Sequence, residues 1–178
     1  NPGHDRHEST AVAVQSNWKA NDNFALVSLV SFADNNLEYG YDEDWAYGDD
    51  LCVNFFCPYN DPYSSVDNYV RERSNGSIDI RLVSADTAQI FNGTTDWLTG
   101  VYWRDQDEEL LRQYSFAAAE FISDFDTTNQ AVYGQLDTQL SAALRLSTGV
   151  RFENRQASYS DSDLVAHNVD EDIWGGRI

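Results

Sequence analysis

The 178-residue chain has little positive charge, two cysteines, three prolines and no methionine. Eleven Lys and Arg against 30 Asp and Glu give a formal net charge of −19. That excludes nucleic acid as a partner, because a duplex needs a positive footprint. Cys52 and Cys57, with Val53, Asn54, Phe55 and Phe56 between them, fit neither a thioredoxin-like pair nor a four-ligand zinc site. A local disulfide pinching a loop is the expectation, with two free thiols as the alternative. No run reaches the roughly 18 apolar residues of a spanning helix, and no basic-then-apolar leader opens the chain. Strand-type spans are not excluded. With Asn1 first and no Met, the sequence reads as a mature chain or an excised piece.

Catalytic patterns are also missing. There is no phosphate-binding glycine loop, the pair Gly175-Gly176 stands alone, and no Gly-x-Ser-x-Gly elbow occurs. The carboxylate pairs Glu108/Glu109 and Asp49/Asp50 are what chance adjacency produces among 30 acids, so an enzyme is not expected. Asp42-Glu43-Asp44 lacks the spacing of a calcium-binding EF-hand and reads as a solvated loop. His4, His7 and His167 read as loop histidines without a clear third ligand, and neither a metal nor a cofactor is expected. Asn92-Gly93-Thr94 matches a glycosylation sequon, which has no meaning in a bacterial chain.

What the chain does have is 42% hydrophobic and 13% aromatic residues, too rich for a disordered acidic tail. These are arranged in period-two segments of about ten residues. From Leu144 to Arg155, Leu144, Leu146, Thr148, Val150 and Phe152 share one face, while Arg145, Ser147, Gly149, Arg151, Glu153 and Arg155 share the other. A helix would mix these sets, so this is a strand. Ile78, Ile80 and Leu82 against Asp79 and Arg81 repeat the pattern. Further strands are expected at Thr10 to Trp18, Phe24 to Tyr41, Trp97 to Asp107 and Gln130 to Asp137, with a last one beginning near Ile173. Short connectors (residues 19–23 and 138–141, with a medium one at 85–95) alternate with long acidic ones (42–75, 108–129 and 160–172). Phe116 to Phe125 reads as a short helix inside one of these. The whole predicts an all-β, antiparallel up-and-down meander of about six to eight strands whose two ends face different environments. The first long connector is rich in aromatics, which read first as plain loop packing, and Trp45, Tyr47, Phe55, Tyr59 and Tyr63 are its candidate ligand-binding residues in the alternative.

Four ordered stretches resemble the barrel of TonB-dependent outer-membrane receptors. Trp97-Leu98-Thr99-Gly100-Val101-Tyr102 is similar to that family's W-L-x-G-x-Y strand, and Ser77 to Ser84 is similar to the strand before it, with Asp79 where the family commonly has Glu. Ala131-Val132-Tyr133-Gly134-Gln135 followed by Thr148-Gly149-Val150-Arg151-Phe152-Glu153 resembles the A-x-F-G-Q and G-x-R-Y/F-E strands, and Phe24 to Asp44 resembles an earlier strand entering an outer loop. Family members carry an N-terminal plug with an energy-coupling box and a 22-stranded barrel. This sequence shows neither plug nor box, so residues 1–178 are expected to be a middle slice of a transmembrane barrel, without the C-terminal strand.

The resemblance implies that the Leu144-to-Phe152 face meets lipid and that Arg81, Arg145, Arg151, Glu153 and Arg155 line a hydrated lumen. It further implies a bacterial (Gram-negative) outer-membrane location with the long loops extracellular. The implied partners are the remainder of the barrel and plug, the TonB complex through that plug, membrane lipid and a small ligand. The implied function is energy-coupled uptake of a siderophore, cobalamin or oligosaccharide. The competing expectation is a soluble all-β binding module whose aromatic, acidic loops hold a carbohydrate or a protein. The fate of the Leu144-to-Phe152 face separates the two: lipid in one, a packed core in the other.

Overall fold

In a computed structural model, residues 3–43 and 65–178 are described. They form one seven-stranded antiparallel sheet in which every strand pairs with its sequence neighbours, in the order β1 to β7. The strands are β1 (His4–Lys19), β2 (Phe24–Asp42), β3 (Val66–Ser84), β4 (Thr95–Tyr114), β5 (Phe121–Ser141), β6 (Leu144–Asp161) and β7 (Ala166–Arg177). A single 3-10 turn, Asp86–Ala88, interrupts the β3–β4 connection. We call the end carrying the 43–65 connection the upper end and that carrying residues 20–23 the lower end.

The pairing register explains the alternation in the sequence. One rung runs Ser16, Ser28, Ile80, Val101, Val132, Phe152 and Trp174 across all seven strands. Side chains opposite one another share a face, so this rung and those beside it form an apolar belt. The neighbouring rung, on the opposite face, carries Leu29, Asp79, Tyr102, Ala131 and Glu153. The belt spans Val12 to Trp18 in β1 and Leu144 to Phe152 in β6, so its centre drifts by about one residue per strand. With a rise of about 3.3 Å per residue and about 4.8 Å between strands, that drift corresponds to a tilt of about 35°, the inclination of barrel strands. Nine residues so tilted make a belt about 24 Å high, close to the apolar band of membrane barrels.

No second layer covers this belt. Among the described residues, Ala131 is the one hydrophobic side chain that is buried, while Val150 is 71% and Trp174 83% exposed. A soluble sandwich would pack this face against another sheet. The soluble-module expectation therefore lacks its core.

Most strands are longer than the sequence pattern predicts, β2 being the exception at Phe24–Asp42 against an expected Phe24 to Tyr41. β2 to β5 run 19 to 21 residues, so about ten residues of each continue beyond the belt toward the upper end. Two of the expected long connectors shrink to residues 115–120 and 162–165, and the third to residues 43–65. Glu108, Glu109, Asp124, Asp126, Asp161, Asp170, Glu171 and Asp172 thus lie in strands rather than loops. Above the belt polar and charged residues occur on both faces, so the ladder continues while the alternation that reveals it weakens. The expected helix at Phe116 to Phe125 is replaced by a tight turn followed by β5, because Phe121 and Ile122 pair with Arg112 and Leu111. His4, His7 and His167 are likewise strand residues, and β7 begins at Ala166, ahead of Ile173.

Candidate functional site

The charged face gathers almost all the cations of the chain. Every Lys and Arg except Arg6 falls on it by register. The same positions place Asp34, Glu72, Asp105, Asp107, Asp126 and Asp170 on the opposite face, above the apolar belt. All five residues expected to line a lumen share the charged face, and each of the four arginines has an acidic partner. Arg151 Nε bonds Glu153 Oε2 at 2.8 Å, and Asn129 Nδ2 donates to Glu153 Oε1 at 2.7 Å. Arg155 Nε lies 3.1 Å from Glu171 Oε1, Arg145 Nη2 3.3 Å from Asp96 Oδ2, and Arg81 Nε 3.7 Å from Asp79 Oδ1. Tyr133 links these groups: its hydroxyl donates to Asp79 Oδ1 at 2.8 Å, and the Arg151 guanidinium stands 5.9 Å above its ring. The ring lies over Gly100, whose absent side chain makes the room; a Cβ there would be 2.6 Å from Tyr133 Cζ.

A second cluster, higher on the same face, centres on Asp67, which is fully buried. Arg112 donates Nε to Asp67 Oδ1 at 2.9 Å and Nη2 to Oδ2 at 2.7 Å. The hydroxyls of Tyr41 and Tyr69 donate to Oδ2 at 3.0 and 3.1 Å. The Arg112 bond, reinforced by the two tyrosines, holds the Asp67 carboxyl below the usual carboxylate range against the opposing effect of burial. Its own hydrogen bond to Asp67 pushes the Tyr41 phenol up to about 12. Tyr39 stacks on Tyr69 with centroids 4.7 Å apart and planes at 3°, and Arg112 lies 5.3 Å from the rings of both Tyr69 and Tyr114. Beside this group, Glu43 N–H donates to the Ser65 carbonyl at 3.1 Å and Ser65 Oγ donates to Glu43 Oε2 at 3.0 Å. The cluster therefore clamps β2, β3 and β4 together at the foot of the 43–65 connection. Below it, Glu108 takes Nε of Arg73 at 2.7 Å and faces Nε of Arg71 at 3.3 Å.

This upper cluster escaped the sequence reading because residues 42–75 and 108–129 were assigned to loops. A signal was present, since Asp67, Tyr69, Arg71 and Arg73 alternate at period two. Trp45, Tyr47, Phe55, Tyr59 and Tyr63, and with them Cys52 and Cys57, lie outside the described residues. Among the described residues no group of three potential metal ligands occurs.

The sequence model of the family described as TonB dependent receptor-like, beta-barrel, matches residues 1–176. The chain belongs to this family. Its members are receptors and transporters of the outer membrane rather than enzymes. No curated protein matches the chain. Among solved structures, the ferric yersiniabactin uptake receptor FyuA from Yersinia pestis is 13% identical with a TM-score of 0.63, over 96% of this chain and 24% of the receptor. The siderophore receptor PiuA from Acinetobacter baumannii is 10% identical with a TM-score of 0.68, over 97% of this chain and 29% of that one. The ferric-catecholate import receptor Fiu from E. coli K12, in its open form, gives 14%, 0.62, 97% and 32%. At these identities the likeness shows the fold. The TonB-dependent receptor stretch described here spans about a quarter to a third of the length of these receptors.

Proposed function

We propose that this stretch is part of the barrel wall of a TonB-dependent transporter that imports a ferric siderophore. In this reading the apolar belt meets the hydrocarbon of the outer membrane and the charged face, with Arg81, Arg145, Arg151, Glu153 and Arg155, lines a hydrated lumen holding the plug. The upper end, with the 43–65 connection, faces the cell exterior. Trp45, Tyr47, Phe55, Tyr59 and Tyr63 then stand at the mouth, where they first meet the ligand. The observation that carries the reading is the segregation itself: an uncovered apolar belt on one face, and all but one of the basic residues, each expected lumenal one paired with an acid, on the other. Hydrocarbon tolerates the first and would reject the second. The siderophore class is supported by the structural relatives, which are ferric yersiniabactin, siderophore and ferric-catecholate receptors, and energy coupling through TonB by the family.

The test is uptake by the full-length receptor in a strain lacking its own siderophore receptors. Radioactive iron supplied as catecholate, hydroxamate and phenolate chelates should accumulate with at least one class, and only when TonB is present. Accumulation of labelled cobalamin or maltodextrin in place of every iron chelate would overturn the siderophore assignment and leave the transporter reading intact.

A further inference from the structure

The β3–β4 turn carries a feature that the fold in water does not explain. Phe91, Asn92 and Gly93 adopt successive positive φ values of 53°, 60° and 79°. Asparagine and glycine suit that conformation; a bulky aromatic does not. Phe91 nevertheless occupies the first position, and its side chain is 67% exposed. In water its exposed ring recovers little burial to offset the strain, although the turn is well fixed: Ile90 and Thr95 form a bridge, and Thr94 Oγ1 donates to the Phe91 carbonyl at 2.8 Å.

The surroundings of the turn supply what is missing. Gln139 N–H donates to the Thr94 carbonyl at 2.8 Å, which sets the turn level with Leu140, and Leu140 and Leu144 are both more than half exposed on the apolar face. Ile90 shares one recess with Trp97, Leu136 and Val150 of the same face. The lower border of the belt, which follows the strand tilt, passes through this point. The β1–β2 turn at the same end differs, being Ala20-Asn21-Asp22-Asn23 with Asp22 paired to Lys19.

We propose that the β3–β4 turn is an interfacial anchor, with Ile90 and Phe91 inserted at the headgroup boundary of the periplasmic leaflet beside Leu140 and Leu144. The occupant is lipid because the turn adjoins the lipid-facing belt, separated from Trp97 and Leu136 only by the mutually bonded Thr95 and Thr138 hydroxyls and level with Leu140 and Leu144, and aromatic side chains are favoured at that depth. The strained backbone then serves to aim Phe91 into the bilayer. The inference rests on the membrane reading given above.

Nitroxide accessibility tests it. In the full-length receptor with Cys52→Ser and Cys57→Ser, a spin label is attached in turn to Phe91→Cys, Asp22→Cys and Val150→Cys. The protein is reconstituted in vesicles of phosphatidylethanolamine and phosphatidylglycerol, and collision with oxygen and with a water-soluble nickel chelate is measured. Position 91 should resemble position 150, with high oxygen and several-fold lower nickel accessibility than position 22. A label at 91 as open to nickel as that at 22, with 150 still protected, overturns the anchor alone. Nickel access at 150 overturns the membrane reading and the anchor together.

Discussion

Replacing Asp67 by alanine isolates the clamp at the foot of the 43–65 connection. The carboxylate is fully buried and takes two bonds from Arg112 and one each from Tyr41 and Tyr69. Losing one member of a buried charged pair costs about 3–5 kcal/mol. The Arg112 side chain remains 39% exposed and recovers water on one side, so the lower end of that range, about 3 kcal/mol, applies. Because about 1.4 kcal/mol is a factor of ten, the open population of the upper strand ends should rise about a hundredfold. Hydrogen exchange read by mass spectrometry on the full-length receptor in vesicles reports this directly. Peptides covering residues 39–43, 65–71 and 110–115 should exchange about a hundredfold faster in Asp67→Ala, while those around residues 78–82 and 150–153 stay unchanged. Asp67→Asn, which keeps two acceptable bonds and loses the charge, should fall between. The double variant Asp67→Ala with Arg112→Leu should recover protection, since it removes the orphaned cation. Unchanged exchange at the upper strand ends, or equal acceleration along the whole sheet, would refute the clamp.

Other outcomes follow from the same geometry. Asp67 has a folded pKa below its unfolded one, so its stabilisation is complete above about pH 5 and is lost only as pH falls through the depressed value; exchange at the upper ends should be flat from pH 7 to 5 after correction for intrinsic rates. Asp107 is the opposite case: its hydrogen bond with Asp126 and their like charge raise its pKa, so the pair weakens the strands once pH rises above that value. Asp107→Asn should slow exchange in residues 105–107 and 126–128 at pH 7 and have little effect at pH 4. Gly100→Val sets a Cβ against the Tyr133 ring and displaces its hydroxyl from Asp79, costing about 1–3 kcal/mol in urea unfolding from vesicles. Val150→Arg at mid-belt should cost about 2–4 kcal/mol in the same assay, whereas Thr128→Arg, on the same face above the belt, should be nearly neutral.

The lower half of each strand was legible in the sequence because one face there is apolar and the other charged, so alternate residues differ. Leu144 to Arg155 shows this completely, and Ile78 to Leu82 in miniature. The upper half, β2 apart, was not, because polar residues on both faces weaken the contrast. Glu108, Asp126 and Asp161 look like loop residues until their backbone partners are known. The paired arginines of β6 could be placed on one face from spacing alone. The Asp67 cluster needed Tyr41 and Arg112, which are 26 and 45 residues away in the chain and meet it only through register. Asn92-Gly93 announces a left-handed turn, but nothing in the sequence shows that Phe91 ahead of it shares that backbone.

The unequal sorting of charge bears on how fast a charged ligand arrives. Above the belt Asp34, Glu72, Asp105, Asp107, Asp126 and Asp170 lie on the face away from the arginines, while the charged face combines arginines with nearly as many carboxylates, Asp67 and Glu108 among them. Ions of physiological strength damp a field over about 8 Å, less than the thickness of the wall with its side chains, about 10 Å. In the proposed barrel an anion on the axis therefore does not sense the outer acids, and its capture rate should change little with salt. Two such walls approaching side by side meet acid to acid, so dilute electrolyte keeps neighbouring receptors apart while leaving each entrance open.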